Sequence, residues 1–332
     1  MLYYENLEEI VFTRHEIIDS SELIVLSGYL GPTPVAGLET LPIAATVIYG
    51  MYGSEGISAK LHNSLVKLDG RINNVDIKYS NIPIHSKCYA WKKDGKIVHA
   101  LVGSANFSTN GLCTPFREIL AETTKDTFRP LNAYIAMILE NSISCNLGVV
   151  RAKKTPTVTS GADDFPSESV CSMVLYNPKT GEVQNGHGLN WGLAAGSHVR
   201  PDDANIPIRA DYVRKYPGLF PEKMTLPRAG TKAGRAHRHN DAIEIIWDDG
   251  TSMSGLLEGN YQIDGKTYPK QISSFPAKSL LGRYIRRRLG VPSGRKVTMR
   301  DLRNYGRSTI DVSLQGEGIY YFDFSINTQQ EE

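Results

Sequence analysis

Residues 83–118 read PIHSKCYAWKKDGKIVHALVGSANFSTNGLCTPFRE. Two strand-like runs, CYAW (88–91) and IVHALV (97–102), flank Lys93-Asp94-Gly95-Lys96. An Asp-Gly pair between apolar runs is a strong hairpin signal. Folding that hairpin brings His85 and Lys87, at the start of one strand, beside Ser104 and Asn106, at the end of the other. Glu118 follows in the strand-like run 117–121. An imidazole, an ammonium, a hydroxyl and a carboxamide then meet at one end of a sheet, a set suited to attack on a phosphodiester. The imidazole can form a covalent phospho-histidine without a metal. Charge developing on the phosphoryl oxygens needs fixed donors, which Lys87, Ser104 and Asn106 supply. A carboxylate such as Glu118 can hold the other ring nitrogen and fix its tautomer. The competing reading is a buried polar hairpin with a surface lysine, which gives these residue types no shared role.

At these residues the chain resembles the phospholipase D superfamily, whose signature runs His-x-Lys-x4-Asp and then Gly-Ser-x-Asn. His85, Lys87, Gly103, Ser104 and Asn106 match it, and Glu118 fits the downstream glutamate of the nuclease branch. Lys92 stands where the signature has aspartate, which puts any role of that aspartate in doubt here. The signature occurs once in this chain, whereas the superfamily's active site uses two copies. The resemblance therefore implies a homodimer with the site at the interface, and no cofactor or metal.

Working outward, strands alternate with helices, as in an α/β layered domain. Residues 6–18 read as a helix, 22–30 as a buried strand and 35–41 as a short helix. Residues 44–49 form a second strand, 56–68 a helix ended by Gly70, and 75–79 a third strand. A helix over 130–140 carries apolar Leu131, Tyr134, Ile135, Ile138 and Leu139 and has a proline in its first turn. The stretch Gly50-Met51-Tyr52-Gly53-Ser54-Glu55-Gly56 lacks phosphate-loop spacing and reads as a glycine-rich strand-to-helix turn.

At 332 residues the chain favours two domains: 1–150, a linker over 151–169, and 170–332. No apolar run spans a membrane and no signal peptide is apparent, so a cytoplasmic location is expected. Four scattered cysteines, Cys88, Cys113, Cys145 and Cys171, indicate reduced thiols rather than a disulfide frame or zinc site. The net charge of +2 hides an asymmetry: residues 1–150 carry −3 and residues 151–332 carry +5. A basic half joined to a catalytic half suggests that the basic half holds a polyanion.

The second half shows strand-like runs at 172–176, 242–247, 308–314 and 319–324, with turns at Asp249-Gly250 and Asp264-Gly265. Leu280, Leu281, Tyr284, Ile285 and Leu289 make one helix face stopped by Gly290 and Pro292, and Thr298-x-x-Asp301 resembles a capping box. A mostly antiparallel β pseudobarrel with short helices is expected. Arg283, Arg286, Arg287 and Arg288 flank the apolar helix face and read chiefly as a solvated surface. Arg228, Lys232, Arg235 and Arg238, in a glycine-bearing segment, suit backbone phosphates. The loop 186–200 offers Asn190, Trp191, His198 and Arg200 for base edges, against the alternative of a structural turn with Trp191 in the core. His237-x-His239, and Asp202 taken with Asp264 and Lys266, read as solvated loop and turn residues rather than metal sites.

The second half, through 281–291, 301–307 and 320–324, looks like the NgoFVII family of type II restriction endonucleases, which agrees with the signature in the first half. Members join a phospholipase D-like nuclease domain to a DNA-reading pseudobarrel similar to the plant B-three domain, which grips the major groove between two loop arms. The resemblance places one arm near 190–200 and the second within 252–271, ending at Lys270 and Gln271. It implies double-stranded DNA as substrate, a cognate methyltransferase, and in some relatives a separate NTP-driven translocase subunit. The expected activity is metal-independent cleavage at a specific DNA sequence through a phospho-histidine. The alternatives are a non-specific phosphodiesterase of the superfamily and a non-enzymatic DNA-binding regulator.

Overall fold

A computed structural model describes residues 1–150, 169–195, 199–223 and 240–326. The chain divides into two compact units, Met1–Asp163 with Gln315–Ile319, and Asp164–Leu314 with Tyr320–Glu332.

In the first unit the elements run β1 (Leu2–Tyr3), α1 (Leu7–Thr13), β2 (Glu22–Ser27), α2 (Pro32–Gly37), β3 (Ala44–Tyr49), α3 (Tyr52–Glu55), α4 (Ala59–Asp69) and β4 (Val75–Ser80). The hairpin β5 (Lys87–Lys93) and β6 (Lys96–Gly103) follows, then α5 (Thr109–Cys113), β7 (Leu120–Glu122), α6 (Phe128–Glu140) and β8 (Ser142–Ser144). The eight strands form one mixed sheet in the order β1-β7-β6-β5-β2-β3-β4-β8. β2, β3 and β4 are parallel and joined by helical crossovers, as parallel neighbours require. Strand β2 is buried on both faces, so its sequence is an unbroken apolar run rather than an alternating one.

The hairpin forms as its sequence predicts. Asp94 and Gly95 both take positive φ, the geometry of a two-residue turn whose twist matches the strands. Lys93 then faces Lys96 and Lys87 faces Gly103. β5 also pairs antiparallel with β2, placing Leu26 opposite Cys88. Three strand ends therefore converge: the C-terminal ends of β2 and β6 and the N-terminal end of β5.

Several boundaries differ from the sequence reading, each for a local reason. α4 starts at Ala59, because Gly56 takes positive φ and Ser58 caps the helix by accepting the Leu61 N–H. α2 starts at Pro32 rather than residue 35, since prolines are tolerated in a first turn. Helix α1 ends at Thr13 and continues only as a 3₁₀ turn, Arg14–Glu16. In α6 the buried residues are Ile135 and Ile138, while Tyr134 is exposed and its hydroxyl meets Ser86. β7 begins at Leu120, so Glu118 precedes the strand instead of lying within it.

The second unit comprises β9 (Cys171–Val174), β10 (Ile206–Pro207), α7 (Ala210–Lys215), β11 (Asp241–Trp247), β12 (Ser252–Glu258), β13 (Tyr261–Ile263), β14 (Lys266–Tyr268) and β15 (Gln271–Ser274). It closes with α8 (Ser279–Leu289), α9 (Met299–Tyr305), β16 (Thr309–Gly316) and β17 (Ile319–Asp323). Seven of these strands make a nearly closed, mostly antiparallel sheet in the order β10-β15-β12-β11-β17-β16-β9, and β13 pairs with β14 alone. The segment 252–271 is thus largely strand: β12 lies inside the main sheet, and a two-residue turn at Asp264-Gly265 closes the small hairpin.

Helix α8 fills this barrel. Leu281, Tyr284 and Ile285 join a core with Trp247, Phe322 and Phe324, and Gly290 ends the helix in the left-handed conformation. The capping box of Thr298 and Asp301 forms on α9.

The reading of the α8 arginines as a solvated surface holds for Arg283 and Arg287 and fails for the other two. Arg286 is 1% exposed; it donates to the carbonyls of Arg295, Leu189 and Gly282 and pairs with Asp202 at 3.5 Å. Arg288 is bidentate on Asp248, at 3.1 and 2.8 Å, and also donates to the Tyr284 and Tyr305 hydroxyls and the Phe324 carbonyl. Buried guanidinium groups need such complete pairing, and both therefore belong to the interior. Among the described residues no helix is long and apolar enough to cross a membrane.

Candidate active site

The site of the first unit assembles on Gly28, the residue after β2. A Cβ built there would lie 3.1 Å from the His85 ring, 3.4 Å from Asn106 Oδ1 and 3.4 Å from Lys87 Nζ. The hydrogen atom of glycine leaves room for these three side chains to approach one another. His85 is exposed, Asn106 half-buried and Lys87 only 6% exposed.

Lys87 Nζ lies 3.0 Å from His85 Nδ1, 3.2 Å from Nε2 and 2.6 Å from the His85 carbonyl oxygen. An ammonium donates only to a ring nitrogen that carries no proton, so this contact suits a neutral imidazole with a free lone pair. Burial lowers the Lys87 pKa, and the charge of Glu118 acts against that shift. Among the described residues Lys87 is the hydrogen-bond partner of the imidazole. Glu118, just ahead of β7, stands 3.7 Å from the Arg117 guanidinium.

The Gly-Ser-x-Asn segment leaves the end of β6. Gly103 runs against the next strand so closely that a Cβ would sit 2.0 Å from the Ile119 carbonyl oxygen. Ser104 exchanges backbone and side-chain bonds with Ile119: its N–H donates to the Ile119 oxygen at 3.0 Å, and its Oγ accepts the Ile119 N–H at 3.1 Å. The hydroxyl proton of this exposed serine is left to donate outward. Asn106 Oδ1 accepts the Tyr29 N–H at 3.3 Å and lies 3.3 Å from Ser27 Oγ, which holds the carboxamide against the end of β2. Gly111 secures this turn, since a Cβ there would meet the Asn106 carbonyl oxygen at 2.4 Å.

The sequence reading did not single out Ser27, Gly28 and Tyr29. It absorbed them into a buried strand, although a glycine and a tyrosine after a six-residue apolar strand were a usable signal. Lys92, where the signature has aspartate, sits in β5 opposite Glu22, away from the strand ends that carry the site. Gly50 and Gly53 act through close packing: a Cβ on either would lie 2.2 Å from a backbone oxygen, of Ile84 and of Asn81.

The residues expected to read DNA differ in how far they are engaged. Asn190 is fully buried; its amide donates to the Val297 oxygen at 2.8 Å and accepts the Val297 N–H at 2.9 Å. This corrects its assignment as a base reader, because a side chain pinned to the backbone cannot present its amide to DNA. Gln271 is half-committed, donating to Glu258 at 3.0 Å. Trp191 is partly buried with Lys278 Nζ 5.9 Å over its ring, whereas Arg200 and Lys270 are exposed. His198, Arg228, Lys232, Arg235 and Arg238, with the His237-x-His239 pair, lie outside the described residues. Asp202 is engaged by Ser293, by the Gly294 N–H at 2.7 Å and by Arg286. Among the described residues no three His, Cys, Asp or Glu side chains cluster as metal ligands would.

Two family models match the chain: the NgoFVII restriction endonuclease N-terminal PLD domain over residues 5–152, and the NgoFVII C-terminal B3-like DNA-binding domain over residues 166–315. No curated protein matches it. Among solved structures the chain is similar to NucT from Helicobacter pylori, at 17% identity and a TM-score of 0.33, covering 43% of this chain and 97% of that one. It is also similar to a polyphosphate kinase from Porphyromonas gingivalis, at 13% identity and a TM-score of 0.29, covering 45% of this chain and 23% of that one.

Proposed function

We propose that this chain, which belongs to the NgoFVII restriction endonuclease family, cuts double-stranded DNA at a specific sequence through a phospho-histidine on His85, with no metal in the step. The observation that carries the reading is the packing of His85, Lys87 and Asn106 around the bare Cα of Gly28. An imidazole, an ammonium and a carboxamide brought together are the groups such a step calls for, which supports the reading.

In the first step a ring nitrogen of His85 attacks phosphorus, and an N–P bond forms as the P–O bond to the departing sugar breaks. The leaving oxygen takes a proton from His85 of a second copy of the chain, so the working enzyme is a homodimer with its site at the interface. Lys87 Nζ, Asn106 Nδ2 and the Ser104 hydroxyl hold the phosphoryl oxygens as their charge rises, and Glu118 supplies counter-charge to Lys87. In the second step water attacks phosphorus and gives its proton to the second imidazole, and the N–P bond breaks to restore free His85. The segments 1–150 and 170–332 divide the work, the first cutting and the second reading the sequence. Exposed Arg200 and Lys270, together with Arg228, Lys232, Arg235 and Arg238, are the proposed contacts to DNA. A cognate methyltransferase is the expected companion activity.

The test is plasmid cleavage in excess EDTA, compared with His85→Ala. Discrete bands from the wild type, and intact plasmid with undiminished DNA binding from the variant, are expected. An absolute requirement for Mg²⁺ counts against the mechanism. A smear of fragments counts against sequence specificity.

A further inference from the structure

Tyr29 touches two signature residues at once without belonging to the signature. Its ring meets the His85 imidazole edge-on, with centroids 6.0 Å apart and planes at 81°. Its backbone N–H donates to Asn106 Oδ1 at 3.3 Å. Its hydroxyl donates to Glu55, with both carboxylate oxygens at 2.9 Å. Burial first, and the Glu55 carboxylate second, raise the Tyr29 pKa, so the phenol remains a donor. Glu55 ends α3, whose Gly53 packs against the Asn81 carbonyl, as Gly50 does against that of Ile84, the residue before His85. The segment bearing Glu55 is thus clamped to the stretch that leads into the nucleophile. The far side of the Tyr29 ring is bounded by Tyr49, with centroids 6.1 Å apart.

An exposed histidine rotates broadly about its terminal torsion, and attack on phosphorus requires its lone pair to be aimed. Lys87 Nζ lies 3.0 and 3.2 Å from the two ring nitrogens, so its contact does not by itself fix the plane of the ring. A wall perpendicular to the imidazole, itself fixed at its far end, restricts that rotation. We propose that Tyr29, anchored by Glu55, is a positioning residue that fixes the plane of the His85 ring and the face of the Asn106 carboxamide. The inference rests on the phosphodiester reading given above.

The experiment measures single-turnover DNA cleavage and equilibrium DNA binding on the full chain, for wild type, Tyr29→Phe, Glu55→Ala, Glu55→Gln and His85→Ala. Tyr29→Phe keeps the ring and loses only its anchor, so it tests positioning without opening a cavity. Tyr29→Phe and Glu55→Ala should each lower the cleavage rate about tenfold, with affinity within about twofold of wild type. Glu55→Gln, whose amide oxygen still accepts the hydroxyl, should recover the rate to within about threefold. Cleavage by Tyr29→Phe and Glu55→Ala at the wild-type rate, with His85→Ala inactive, overturns this inference alone. Undiminished cleavage by His85→Ala overturns the phosphodiester reading and this inference with it.

Discussion

Polar residues in the two units of this chain serve opposite ends. In the first, His85, Lys87, Ser104 and Asn106 sit at three converging strand ends, and His85, Lys87 and Asn106 meet around Gly28. In the second, Asn190, expected to read base edges, and Arg286 and Arg288, expected on a solvated surface, use their hydrogen-bonding capacity inside the barrel. A small, nearly closed β barrel filled by a helix has loop backbone to satisfy, and long polar side chains do so by reaching into it. Residue type alone therefore separates these uses poorly. A fixed spacing on a defined hairpin separates them well.

The contrast predicts that changes in the first unit remove chemistry and changes in the second remove stability. The largest effect is expected from Lys87→Met, which keeps most of the apolar stem and deletes the charge. The cleavage rate should fall about 10³-fold while DNA binding persists. Retention of most of the rate would break the contrast on its catalytic side.

Next comes Arg286→Met, which leaves Asp202 with less compensation in a buried setting. Unfolding in urea should show a loss of about 3 kcal/mol or more, partly recovered when Asp202→Asn is added. The same pair sharpens the contrast through pH. Burial pushes the Asp202 carboxyl up, but Ser293, the Gly294 N–H and Arg286 outweigh it and hold it below the usual carboxylate range. A carboxyl depressed in the folded state contributes stability that is fully present above its unfolded pKa of about 3.9. That contribution disappears as pH falls through the lower folded value. Asp202→Asn should therefore flatten the stability curve below about pH 4, and an unchanged curve would remove Asp202 from the acid response.

A smaller effect is expected at Asn190→Ala. Stability should fall by about 2 kcal/mol, since the Val297 N–H and C=O lose their partner, while the cleavage pattern on DNA stays the same. A changed recognition sequence would return Asn190 to the reading surface. Arg200→Ala, at an exposed position, is the complement: it should lower DNA affinity and move stability by less than about 0.5 kcal/mol.

Much of the catalytic unit was legible because its signals are local. The Asp94-Gly95 turn sets Lys93 against Lys96, and a one-residue shift in register between Trp91 and Lys92 then places Lys87 opposite Gly103. The alternation of strands and helices identified the layered sheet, and the β3 run was read to the residue. Helix starts were less legible, because the Ser58 cap of α4 competed with the apolar pattern that begins earlier. The strands β12 and β15 escaped notice: Ser252-Met253-Ser254-Gly255 and Gln271-Ile272-Ser273-Ser274 are rich in serine, and only pairing with their neighbours makes them sheet. Tyr29 and Glu55 escaped for a related reason. They stand 26 residues apart, on elements joined only by the fold.

The sequence by itself determined the hairpin, the residue types of the reactive cluster and the family to which the chain belongs, because those rest on short spacings and near-neighbour geometry. Only the tertiary structure decided which polar side chains look outward. Arg286 and Arg287 are adjacent on α8, yet one is sealed in the barrel and the other is in solvent. That choice follows from the rotation of the helix against the sheet, a relation between distant residues that no local pattern encodes.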